Sequence, residues 1–118
     1  MASTVQDPQL LKGVLPVVLL QLVSEQEDYG YALVVRLQEN WFTQLKEGTV
    51  YPALTRLESN GLLTSRLVRS ASGPARKYYA VTAAGTDELD RGRDAWADLT
   101  ATVGRILPDT SLTSGSTA

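Results

Sequence analysis

The feature that most constrains this chain is its first helix, because no surface of it is polar enough to face water. Asp7-Pro8 reads as an N-cap residue followed by proline at the first helical position, and the segment should stay helical to about Glu25. Within it lie Leu10, Leu11, Val14, Leu15, Val17, Val18, Leu19, Leu20, Leu22 and Val23, which together cover nearly the whole circumference. A helix that is apolar all round must be buried all round. In a chain of 118 residues, one domain's worth, one side can face the chain's own core and the other should meet a second subunit. Pro16 takes away the bond to the Lys12 carbonyl, so a kink or a frayed first half is expected.

After a polar turn, Ser24 to Asp28, a second helix is expected from Tyr29 or Gly30 to Asn40, with Leu33, Val34 and Leu37 on one stripe. Trp41 then serves as a core or linker anchor. A third helix, from about Glu47 to Asn60, puts Val50, Ala53, Leu54 and Leu57 on its inner side. Its outer side carries Thr49, Tyr51, Pro52, Thr55, Arg56 and Ser59, and Asn60-Gly61 can end it in a left-handed cap. Two strands follow, Leu62 to Arg69 and Ala75 to Thr82, joined by an exposed Ser-Ala-Ser-Gly-Pro tip. Tyr79 and Val81 should face the core, with Tyr78 opposite. A last helix from Ala83 to about Leu107 carries Leu89, Gly92, Trp96, Leu99, Val103 and Ile106 at alternating spacings of three and four, the spacing that pairs helices. Residues 1–6 and 108–118 have too little apolar surface to pack and are expected to be flexible and disordered.

Composition removes most chemistry. Without cysteine there is no disulfide, thiolate metal site or cysteine nucleophile; without histidine, the commonest general base and metal ligand are missing too. No enzyme, metal or cofactor is expected. An acidic face on the last helix (Asp87, Glu88, Asp90, Asp94, Asp98) is read as solvated rather than catalytic. With no signal peptide or membrane-length apolar run in view, a cytoplasmic protein without membrane contact is expected. The net charge of −2 conceals a strong division along the chain. Residues 1–55 hold three cations against six carboxylates, residues 56–79 five against one, and residues 80–118 three against six. One basic island between acidic flanks points to an anionic partner.

The expected fold is mainly α with a small β-hairpin. Three helices, a hairpin and a final helix, in that order, make a winged helix-turn-helix over residues 7–82 plus a C-terminal dimerisation helix over 83–107. In such a module the third helix fits the major groove and the hairpin lies beside it. Three stretches carry a family resemblance: Tyr29-Gly30-Tyr31; the run from Gly48 to Leu63, GTVYPALTRLESNGLL; and Gly73 to Thr82, GPARKYYAVT, followed by Gly85. Together they resemble the PadR-like family of transcriptional regulators, in its short form with a single C-terminal helix. The resemblance implies a repressor that binds double-stranded operator DNA as a homodimer, with the C-terminal helix of one subunit on the first helix of the other. Some members respond to small, often aromatic, compounds.

The candidate DNA-binding residues are Lys46, Thr49, Tyr51, Pro52, Thr55, Arg56, Arg66, Arg69, Gly73, Arg76, Lys77 and Tyr78. Tyr51 either meets the DNA backbone or packs under the wing; Tyr78 either contacts phosphate or shields the hairpin. The dimer interface is expected to use Leu11, Leu15, Leu89, Trp96, Leu99, Val103 and Ile106. Trp96, with Gly92, Leu99 and Val18, either forms plain interface packing or makes flat apolar walls for a small planar aromatic effector. The competing reading is a winged-helix protein-interaction module that works through its acidic faces and binds no DNA.

Overall fold

A computed structural model of the protein describes residues 7–40 and 42–107. The expectations for residues 1–6, Trp41 and residues 108–118 fall outside them. Helix α1 spans Pro8–Glu25, strand β1 Asp28–Tyr29, helix α2 Gly30–Glu39, helix α3 Glu47–Ser59, strands β2 and β3 Leu63–Ser70 and Gly73–Val81, and helix α4 Ala83–Gly104. This is the winged helix-turn-helix order with one helix added, mainly α with a small sheet.

The Asp7 carboxylate accepts the Gln9 amide hydrogen at 2.8 Å, and Pro8 opens the first turn, so α1 starts where its cap residues place it. The fraying expected from Pro16 does not occur. Helix α1 is continuous through it, because Leu11, Leu15, Leu19, Leu20 and Val23 are anchored in the core on both sides of the lost bond. Helix α1 packs against α2, α3, β3 and α4. Leu33, Val34 and Leu37 from α2, Val50, Ala53, Leu54 and Leu57 from α3, and Leu63 and Tyr79 from the sheet complete the same cluster.

The strand β1 is absent from the sequence reading. It pairs antiparallel with β3, Asp28 opposite Tyr79 and Tyr29 opposite Tyr78, so the hairpin becomes a three-stranded sheet of order β1-β3-β2. What looks like a polar turn is a buried ion pair: Asp28 is 7% exposed and its Oδ2 lies 3.2 Å from Arg36 Nη1. The same guanidinium donates to the carbonyls of Leu22 at 2.8 Å and Gln26 at 3.2 Å. It thereby adds a second donor to the Leu22 carbonyl, which already accepts the Gln26 amide at 3.1 Å, and sets a cation against the negative pole of that helix.

Helix α3 ends as its Asn60-Gly61 pair implies. Gly61 takes φ +78°, its amide hydrogen bonds the Glu58 carbonyl at 3.0 Å, and that of Leu62 bonds Leu57 at 2.9 Å. The hairpin is longer and its turn tighter than expected. Ser70 pairs with Gly73 across Ala71-Ser72 alone, and a register shift between Val68 and Ser70 accommodates Pro74 inside β3. Thr82 then turns the chain into α4, its hydroxyl donating to the Gly61 carbonyl at 2.6 Å while accepting the Gly85 amide at 3.0 Å. Gly85 is required there, since a Cβ on it would run into the Leu62 carbonyl oxygen.

Helix α4 lies on α1 through Leu89 and Gly92, then leaves the core, and its regular helix stops at Gly104, short of Leu107. Two expectations are corrected by this packing. Leu11, Leu15 and Leu89 are 8%, 4% and 4% exposed within the single chain, so they are core residues with almost no surface left for a partner. Gly92 does not open space for a ligand: a Cβ there would come within 2.5 Å of Val17 Cγ2, so its missing side chain is what lets α4 close on α1.

Because the Gly85 contact is with backbone rather than a movable side chain, Gly85→Ala is expected to destabilise the protein by about 1–3 kcal/mol or more, read as a lowered Tm in thermal unfolding. An unchanged Tm would show that the hairpin and α4 are not locked at this point.

Candidate nucleic-acid interface

Helix α3 buries one side only, and the rest follows from the 3.6-residue period. Opposite the core stripe stand Gly48, Pro52, Thr55 and Ser59, all exposed. Thr49 and Arg56 lie on the flank toward α1, where they and Pro52 join Lys12 and Pro16 around a concavity of about 360 Å³. Tyr51 and Glu58 lie on the flank toward the sheet. Lys46 caps α3 through its backbone alone, its carbonyl accepting from Thr49 and Val50 at 3.0 and 2.9 Å while its side chain makes no capping bond.

The second concavity, about 550 Å³, lies between the start of α2, the sheet-facing flank of α3 and β3. Tyr29, Gly30, Tyr31, Tyr51, Arg76, Lys77 and Tyr79 line it. Tyr51 is 42% exposed, and its ring rests on the α2 backbone at Gly30, where a Cβ would meet Tyr51 Cε1 at 2.8 Å. It therefore points outward and is also braced from beneath. Burial, the Glu47 carboxylate and the neighbouring Tyr31 and Tyr79 push its phenol above the ordinary value. The Arg76 guanidinium sits 4.4 Å above the Tyr29 ring, and that ring packs at 5.4 Å on Tyr78. Tyr78 is thus half-buried and occupied with Tyr29, whereas Tyr79 faces the core at 7% exposure.

The basic island is partly neutralised by the fold. Arg66 Nη1 lies 2.6 Å from Glu27 Oε1, a carboxylate from the acidic N-terminal stretch. Lys77 Nζ lies 2.9 Å from Glu58 Oε1, and the Ser65 hydroxyl donates to the other oxygen of Glu58 at 2.5 Å. Among the described residues, Lys12, Lys46, Arg56, Arg69 and Arg76 have no carboxylate within ion-pair distance. The structure thus brings Tyr51, Arg76 and Lys77 around one concavity and Thr49, Pro52 and Arg56 around another. Thr55 stands between them, and Arg69 and Gly73 lie toward the outer end of the wing. Lys12, Tyr29 and Tyr31 belong to these two surfaces and were not singled out as candidates, since each falls outside the basic island and α3. Nothing in the arrangement assembles a nucleophile with a base, and among the described residues no cluster of metal-ligating side chains exists. It presents donors and cations on both flanks of a protruding helix.

The Ser65 hydroxyl and the Lys77 ammonium hold the Glu58 carboxyl below its ordinary 4.5, and Glu58 in turn raises Lys77. A carboxylate depressed on folding adds stability that is complete above its unfolded value and disappears as pH falls through its folded one. The stability gap between the wild type and Glu58→Gln should therefore be present at neutral pH and close as pH drops below 4.5. Thermal unfolding of both proteins across that range tests it, and a gap constant with pH would contradict it.

Comparison with known proteins gives the same picture. The family model described as the transcriptional regulator PadR-like family matches residues 19–91. A transcriptional regulator of Mycobacterium tuberculosis is 36% identical over 81 residues, covering 69% of this chain and 74% of that protein. The crystal structure of a PadR-like transcriptional regulator from Bacillus cereus superposes with a TM-score of 0.77 at 38% identity, covering 86% of this chain and 98% of the other. That of a PadR family transcriptional regulator from Eggerthella lenta gives a TM-score of 0.77 at 35% identity, covering 85% and 87%.

Proposed function

Since the chain belongs to the PadR-like family of transcriptional regulators, and is a DNA-binding regulator rather than an enzyme, we propose that it is a repressor that binds a palindromic operator as a homodimer and is released by a planar aromatic effector. The observation that carries this reading is the unpartnered stripe on α4. Trp96 is 54% exposed, Leu99 53% and Val103 39%, at helical spacings that put them on one side, and Ile106, 80% exposed, follows in the turn after the helix. Leu10, 75% exposed, adds apolar surface on α1. An apolar stripe of this length on a monomer marks an association surface, and a second copy offers the same stripe by two-fold symmetry. Two α3 helices, each in a major groove about 34–36 Å from the other, then read two half-sites. A protein seated across both half-sites blocks access to the DNA beneath it, which supports repression.

Base edges are read by Thr55 and Arg56 on α3, with Thr49 and Pro52 beside them. Arg69, Arg76 and Lys46 neutralise phosphates, as do Arg66 and Lys77 to the extent that they leave Glu27 and Glu58. The effector stacks on Trp96 near the dimer centre, against Leu99 and Val18. It acts by its differential affinity for two dimer shapes, because only a ligand that prefers one spacing of the α3 helices shifts the equilibrium.

Replacing Leu99 and Val103 with Asp should give a monomer with an intact fold by circular dichroism and no retention of a palindromic site. Sedimentation and gel shift read the two effects. A wild type that is monomeric at tens of micromolar, roughly the weak end of stable association, would overturn the dimer. For the effector, aromatic compounds titrated against wild type and Trp96→Leu should lower operator affinity only in the former. Equal effects on both would place the effector elsewhere.

A further inference from the structure

A module that inserts α3 into a major groove and a hairpin into the neighbouring minor groove must straddle the sugar-phosphate ridge that separates the two grooves. The concavity between α3 and β3 lies between the protruding helix and the wing, where that ridge would pass. We propose that the ridge is seated there by hydrogen bonds from Tyr31 and Tyr51 to phosphate oxygens, with Arg76 supplying the charge and Tyr29 holding Arg76 in position. The inference rests on the DNA-binding reading and extends the contact surface to the start of α2.

Three observations carry it. The lining is chemically suited to a phosphodiester: phenols that donate hydrogen bonds, beside an arginine free of carboxylates, in a wide opening rather than a closed apolar pocket. Tyr31 is 54% exposed at the first turn of α2 and contributes little to the core, so burial does not account for an aromatic residue there. The Arg76 guanidinium sits over the Tyr29 ring at 4.4 Å, a contact that spends no hydrogen-bond donor and leaves its N–H groups available to an anion. Lys77, by contrast, lines the same concavity but is already bound to Glu58. Gly30 completes the arrangement, because any side chain at that position would displace the Tyr51 ring from its seat.

Neutral and charged contacts leave different traces in the salt dependence of binding. Losing a cation lowers the slope of log affinity against log salt by about 1 for each phosphate contact, while losing a phenol hydroxyl weakens binding at every salt concentration and leaves the slope unchanged. Affinities of wild type, Tyr31→Phe, Tyr51→Phe, Arg76→Gln and Gly30→Ala should be measured by fluorescence anisotropy on an operator and on an unrelated duplex, from roughly 50 to 200 mM salt. Both phenylalanine variants are expected to bind about tenfold more weakly to either duplex, the loss of a hydrogen bond to a charged acceptor, with unaltered slope and Tm. Arg76→Gln should lower the slope. Gly30→Ala should resemble Tyr51→Phe in affinity, whether or not its Tm falls. Wild-type affinity in Tyr31→Phe and Tyr51→Phe overturns this proposal while leaving DNA binding intact, as does a loss confined to the operator, which would mean base contact instead. A wild type that retains neither duplex overturns the DNA reading and this proposal with it.

Discussion

The packing of α1 against four other elements organises the whole molecule. Helix α1 packs against α2, α3, β3 and α4, so it fixes the angle of α3, the position of the sheet and the departure of α4 at once. Leu11, Leu15, Leu19, Leu20 and Val23 are buried there and Val14, Val17, Val18 and Leu22 pack against them, while Leu10 stays 75% exposed. The partly buried Arg36 ties the end of this helix to β1 by three contacts, to Leu22, Gln26 and Asp28. Removing one partner from so enclosed a pair would strand the other charge. The sheet therefore inherits its placement from α1, and the wing inherits its own from the sheet.

Electrostatics add a second layer that charge along the chain does not disclose. The sequence holds a basic island between acidic flanks, yet the fold pairs two of its cations with carboxylates. Glu27 comes from the turn after α1 and Glu58 from α3 itself. The Glu58–Ser65–Lys77 cluster joins α3 to both long strands, so it sets the distance between the protruding helix and the wing as well as moderating charge. Of the cations that have no carboxylate partner among the described residues, Arg56 and Lys12 border the concavity on one flank of α3 and Arg76 that on the other.

Elements with a strong local signature were legible from the residues. Asp7-Pro8 and Asn60-Gly61 marked helix ends because capping is local chemistry. The apolar stripes of α2 and α3 named the core correctly, and the winged order followed. What escaped depends on contacts distant in sequence. Strand β1 is two residues long, too short for any period, and Asp28 looked solvated because its partner Arg36 lies eight residues on. Gly92 and Leu89 sat in a seam whose first half meets α1 of the same chain, and only its second half stays exposed. A heptad pattern states that a helix has a partner, not which partner each turn meets. Tyr31 was hidden by its position, since a surface tyrosine at the start of α2 acquires meaning only when α3 and β3 close around it.

In the proposed function, two copies of this chain present two α3 helices and two wings to one face of duplex DNA. Hydroxyl-radical footprinting of the wild-type protein, on a duplex selected by it from a random pool, tests this most directly. The expected result is an enriched palindrome with two symmetric sets of backbone protection whose centres lie about one turn apart, 34–36 Å. Absence of any enriched sequence, or protection of a single unpaired half-site, would contradict it.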